Sequence, residues 1–170
     1  MRRLLAVPVC ALVLLALGAS PARADLTAFI GAQSSPSARM TKGVAVGSGF
    51  LVVGFEVEYA QVSPEDDCIA STDACAPSLR TGMMNGLVQT PRGLVPRMQL
   101  YVTAGGGFYR ERFEALDIQS TGAATNVGGG AKITLVGPLR VRLDYRLFKL
   151  GSEAVHRTPQ RFSVGANLAF

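Results

Sequence analysis

The sequence predicts an all-β fold: eight antiparallel strands, connected up and down and closed into a barrel. Three observations carry the prediction. Apolar and polar residues alternate with period two in eight segments after residue 24, and helical periodicity is poor throughout. The connections between these segments are long and short in turn, as in a meander with wide loops at one end and tight turns at the other. The chain of 170 residues is 48% hydrophobic and only 17% charged, which excludes a disordered protein and is too apolar for an ordinary soluble domain.

The first element is a signal and not part of the barrel. Residues 1–24, MRRLLAVPVCALVLLALGASPARA, combine two arginines, an apolar run from Leu4 to Leu17 and a small-residue close in which Ala22 and Ala24 flank Arg23. That is the layout of a cleaved secretory signal, with the cut expected between Ala24 and Asp25. The apolar run is shorter than the roughly 18–20 residues of a spanning helix. Without it the barrel domain is 25–170, and loss of Arg2, Arg3 and Arg23 reduces the net charge from +5 to +2. The basicity of the whole chain therefore does not argue for a nucleic-acid partner. Cys68 and Cys75, close together in DDCIASTDAC, are expected to form a disulfide after export.

The expected strands are 25–32, 43–50, 53–60, 79–89, 97–112, 122–134, 139–147 and 161–170. The third, VGFEVEYA, sets Val53, Phe55, Val57 and Tyr59 against Gly54, Glu56 and Glu58. In the fourth, Arg80 favours one face inward and Asn85 and Gln89 the other, so its phase stays open. The fifth and sixth carry the glycine runs 105–107 and 128–130, which suit crowding inside a narrow barrel. A phosphate cradle would need a helix to follow, and none is predicted. The seventh, LRVRLDYRL, separates Leu139, Val141, Leu143, Tyr145 and Leu147 from Arg140, Arg142, Asp144 and Arg146, which no helix would do. The eighth sets Phe162, Val164, Ala166, Leu168 and Phe170 against Ser163, Gly165, Asn167 and Ala169.

Which face is polar decides between a soluble and a membrane barrel. Glu56 and Glu58 facing Arg140, Arg142, Asp144 and Arg146 across a lumen would form a buried network in which the charges satisfy one another. The apolar faces would then meet lipid. In a soluble periplasmic ligand-binding barrel, the alternative, Leu139, Val141 and Leu143 would point inward instead.

The chain ends on the apolar phase of an alternating strand, at Phe170. That ending resembles the signal recognised by the barrel-assembly machinery of diderm bacteria. Together with GVAVGSGFLVVGFEVEYA, YVTAGGGFYRER and GGGAKITLVGPLRVRLDYRLFKL, it makes residues 25–170 resemble the small outer-membrane barrels typified by the transmembrane domain of outer-membrane protein A. The resemblance implies a transmembrane barrel of the cell outer membrane with lipid as its surroundings. It also implies a structural or surface-interaction role through the exposed loops. A monomer without cofactor, metal or enzymatic activity is expected. The chain has no Trp for the interfacial girdles, leaving Phe29, Phe50, Tyr59, Phe108, Phe113, Phe148 and Phe170 as their candidates.

Lipid A deacylases, which are barrels of this size, use a closely spaced His-x-Ser pair. The single histidine, His156, is followed by Thr158 where they have serine, and Glu153 precedes it. One mismatched neighbour on a connection is weak evidence for the base and nucleophile such chemistry needs, so a deacylase-like barrel enzyme stands as a second alternative, against a solvated loop histidine. The acids Glu65, Asp66 and Asp67 fit no metal-site spacing.

Overall fold

The computed structural model describes residues 23–34, 38–64, 77–91, 93–113, 118–152, 154 and 156–170. Residues 1–22 of the expected signal 1–24, Cys68, Cys75, the acids 65–67 and Glu153 lie outside these residues. Eight strands form in chain order: β1 (Arg23–Ser34), β2 (Arg39–Phe50), β3 (Val53–Val62), β4 (Ser78–Gln89), β5 (Met98–Phe113), β6 (Ile118–Val136), β7 (Leu139–Leu150) and β8 (Gln160–Ala169). Each pairs antiparallel with the next, and β8 pairs with β1 from Asp25↔Ala169 to Ser34↔Gln160, so the sheet closes. Closure leaves no edge strand exposed. One further rung precedes the expected cut after Ala24: Ala24 and Phe170 exchange two backbone hydrogen bonds of 2.9 Å.

The strands run beyond their sequence patterns. β2 starts at Arg39 instead of 43 and β6 covers Ile118–Val136 instead of 122–134, which shortens two connections to 35–38 and 114–117. The strict alternation of long and short connections is corrected accordingly, because 90–97 at the turn end is longer than either. Pairing is made by the backbone, so a ladder continues through residues such as Arg39, Thr41 and Glu111 that give no alternating apolar signal.

Two tight turns, Leu51-Val52 and Gly137-Pro138, lie at the same end as Ala24 and Phe170. Gly137 takes φ 55°, which glycine adopts freely, whereas Leu51 is held at φ 53°. A bulky side chain in the left-handed region costs about 1–2 kcal/mol. Leu51→Gly is therefore expected to stabilise the barrel by about 1 kcal/mol. The check is a urea unfolding series, where the midpoint should rise.

Inward and outward faces alternate around the whole barrel. Leu26 and Ile30 of β1, Val44 and Val46 of β2, Phe55 and Val57 of β3, Met84 and Val88 of β4 and Val102 and Phe108 of β5 all point out. So do Val127 of β6, Tyr145 and Leu147 of β7, and Phe162, Val164 and Leu168 of β8. Phe55, Met84 and Phe108 are each at least 70% exposed. The phase of β4 is now settled: Thr81, Met83, Asn85 and Leu87 are buried in the lumen while Arg80 and Met84 face out. Leu139, Val141 and Leu143 lie on the outward phase of β7, opposite buried Arg142 and Asp144. The soluble barrel's requirement that they point inward is not met.

Two of the expected girdle aromatics are corrected. Phe29 and Phe148 are buried inside, at 7% and 4% exposure, because both fall on the inward phase of their strands. Phe50, Tyr59, Phe108 and Phe170 are exposed outside as expected, and the side chain of Phe113 lies outside the described residues.

Candidate functional site

The lumen is filled by side chains in two zones. Toward the loop end Val62, Leu79, Met83, Tyr109, Phe148 and Leu150 form an apolar plug. Nearer the turn end lies an ion-pair cluster. An eight-stranded barrel is just wide enough to be filled in this way.

The cluster is built mainly across the barrel. β3 and β7 are four strands apart in a closed ring of eight, so they face each other, and their polar phases meet at its centre. Glu56 takes both Arg142 and Arg146: Arg142 Nη1 and Nη2 donate to its two carboxylate oxygens, and Arg146 Nη2 donates to Oε1 at 2.7 Å. Asp144 sits between the same two arginines, accepting from Arg142 Nη2 at 2.9 Å and from Arg146 Nε at 2.8 Å. Glu58 pairs with Arg146 at 3.1 Å and accepts from Arg161 Nη2 at 2.6 Å. Three arginines and three carboxylates thus cancel, and Arg146 is wholly shielded from solvent. A buried charge is tolerable only when paired and hydrogen-bonded in this way.

Aromatic rings complete the cluster. Tyr101 Oη accepts from Arg142 Nε at 2.7 Å and donates to the Asp144 carboxylate, while the Arg142 guanidinium lies 4.8 Å from the ring centroid. The Arg161 guanidinium lies 4.9 Å from the Phe29 ring and 5.0 Å from the Phe148 ring. This explains why two aromatics face inward: they place polarisable surface against a cation where the polar zone meets the apolar plug.

Glycines supply the room. Gly128 and Gly130, from the run on β6, face the lumen, and a Cβ at Gly130 would lie 2.6 Å from Tyr101 Oη and clash with the Leu143 carbonyl oxygen. At Gly128 it would meet Arg146 Cγ at 2.9 Å. The run therefore serves close packing, as the sequence suggests. Gly130→Val is expected to cost about 1–3 kcal/mol by overpacking. Refolding yield and the urea midpoint are the readouts, and an unchanged midpoint would contradict this packing role.

Of the residues expected in the network, Glu56, Glu58, Arg142, Asp144 and Arg146 are brought together. Arg140 is not. It lies near the turn end, lining a cavity of about 150 Å³ with Arg97, Lys132 and Thr134, and forms no ion pair among the described residues. Its position on β7 sets its level in the barrel, two residues short of the cluster. Sequence reasoning missed Arg161, Tyr101 and the half-buried pair Lys132–Asp25. Arg161 was legible in principle, since it continues the Ser163, Gly165, Asn167 phase by one step. His156 lies in the connection 151–159 and makes no hydrogen bond to a hydroxyl nucleophile among the described residues.

No family model and no curated protein sequence matches this chain. Solved structures do match. Neisserial surface protein A aligns over 89% of this chain and 98% of its own, with TM-score 0.69 and 16% identity. The N-terminal β-barrel domain of OprF from Pseudomonas aeruginosa aligns over 87% and 97%, with TM-score 0.64 and 13% identity. The attachment invasion locus protein Ail of Yersinia pestis, solved with the heparin analogue sucrose octasulfate, aligns over 89% and 100%, with TM-score 0.59 and 10% identity. Closed ring, strand count and near-complete overlap agree: the chain has the fold of the small eight-stranded outer-membrane β-barrels.

Proposed function

We propose that this chain is an integral outer-membrane protein, a closed barrel serving envelope structure or surface interaction through the connections at its loop end. The observation that carries the reading is reversed polarity. The charges clustered at the centre of the lumen are paired, while large apolar side chains cover the outside of all eight strands. In water such a wall would be an aggregation surface, whereas in lipid it is the ordinary outer surface of a barrel. Lipid is then its main partner, and Phe170, exposed on the outward side, is the element read by the assembly machinery. Because plug and ion cluster fill the lumen, the barrel serves as a scaffold and not as a general diffusion pore. It functions as a monomer without cofactor, and no catalytic residue is assigned.

The test is membrane fractionation combined with gel mobility before and after boiling. Recovery in the outer-membrane fraction with a mobility shift on boiling is expected. Recovery in the periplasmic supernatant would overturn the reading.

A further inference from the structure

The outer wall carries cations and no acids among the described residues. Asp25, Glu56, Glu58, Glu111 and Asp144 all lie on inward phases of their strands. Lys42, Arg80, Arg110, Arg112 and Lys149 are exposed on outward phases, and each is no more than four residues from the loop end of its strand. A cation on the lipid face is costly at the midplane and nearly free at the interface. Its position therefore marks a level in the bilayer.

Register aligns three of these cations. Lys42 pairs with Gln61, Gln61 with Arg80, Arg80 with Arg110, and Arg110 with Thr121, so one lateral row of polar side chains crosses β2 to β6. One step toward the turn end on the same face, the row is Val44, Tyr59, Gly82, Phe108 and Ala123. Tyr59 and Phe108 are exposed, and nothing lies within 4 Å of a Cβ built on Gly82, so an open notch sits between two aromatic rings directly beneath Arg80. Beside it, an open apolar groove of about 710 Å³ runs between Ile30, Val44, Tyr59, Val164 and Ala166, with Lys42 at its edge.

We propose that this belt is a binding site for a phosphate-bearing lipid of net negative charge in the leaflet facing the loop end. Lys42, Arg80 and Arg110 hold the phosphate, and the acyl chains lie in the groove and the Gly82 notch. Charge complementarity selects the headgroup: three cations in register, with no acid on the described wall, favour an anion over a zwitterion. The apolar relief immediately below selects a lipid over a soluble polyanion. The assignment rests on the membrane reading above.

The experiment uses the refolded chain in neutral detergent with equimolar dioleoyl phosphatidic acid and dioleoyl phosphatidylcholine, and native mass spectrometry counts retained lipid. The boiling-dependent mobility shift is recorded on every sample, so a failure of the barrel reading is seen separately from a failure of lipid selection. The wild type is expected to retain phosphatidic acid at least fivefold over phosphatidylcholine. The K42Q/R80Q/R110Q variant is expected to fall below twofold, and Lys149→Gln, off the row, to keep its preference. If the triple variant does not fold, Arg80→Gln and Arg110→Gln singly are expected to give intermediate ratios. Equal retention of both lipids by the wild type would overturn the proposal. So would an unchanged ratio in the row variants, or a loss in Lys149→Gln as large as theirs. Displacement of the lipid by equimolar sucrose octasulfate would reassign the row to a soluble polyanion.

Discussion

Arg146→Leu is expected to destabilise the barrel by about 3–5 kcal/mol, the cost of leaving buried carboxylates without their partner. Arg146 touches Glu56, Glu58 and Asp144, and its removal leaves three carboxylates against two arginines in a space closed to solvent. A companion variant separates this from simple loss of packing. Combining Arg146→Met with Glu56→Gln keeps two intact pairs, Arg142–Asp144 at 2.9 Å and Arg161–Glu58 at 2.6 Å, and restores neutrality. The double variant is therefore expected to be more stable than Arg146→Met alone, with a coupling of about 1–3 kcal/mol. Urea unfolding followed by gel mobility measures both. Additive losses would mean that the charges do not act as one cluster.

The second large effect is expected on the opposite face. Val57→Arg places a cation in the middle of β3 on the outer wall, where Val57 is 56% exposed. In a water-soluble protein such a change at an exposed site alters stability by about 0.5 kcal/mol or less. In a bilayer it is expected to cost about 2–4 kcal/mol. The comparison to make is with Lys42, a cation already present nearer the loop end: Lys42→Leu should change stability little, because a cation at the interface costs about 0–1 kcal/mol. A neutral Val57→Arg in lipid vesicles would count against a membrane-embedded wall.

The two variants probe the two faces that strand alternation separates, and alternation was the readable part of this sequence. LRVRLDYRL and VGFEVEYA each state which residues share a face, and the pairing of Glu56 with the arginines of β7 followed once the strands were taken to close into a ring of eight. What they could not state is the level at which those faces meet. Arg140, Arg142 and Arg146 share one phase, but only the last two reach the carboxylates. Register with neighbouring strands fixes that level.

Local periodicity determined the strand count, the antiparallel order and the polarity of β3, β7 and β8, because side chains alternate with period two whatever lies across from them. Tertiary closure decided the rest. It brought the inward-phase rings of Phe29 and Phe148 against Arg161, set the phase of β4, brought Tyr101 of β5 to Asp144 of β7, and aligned Lys42, Arg80 and Arg110 in one row. Each of these contacts joins residues far apart in the chain, through register and closure. No pattern within a single strand encodes the stagger of its neighbours, and that stagger determines which side chains meet.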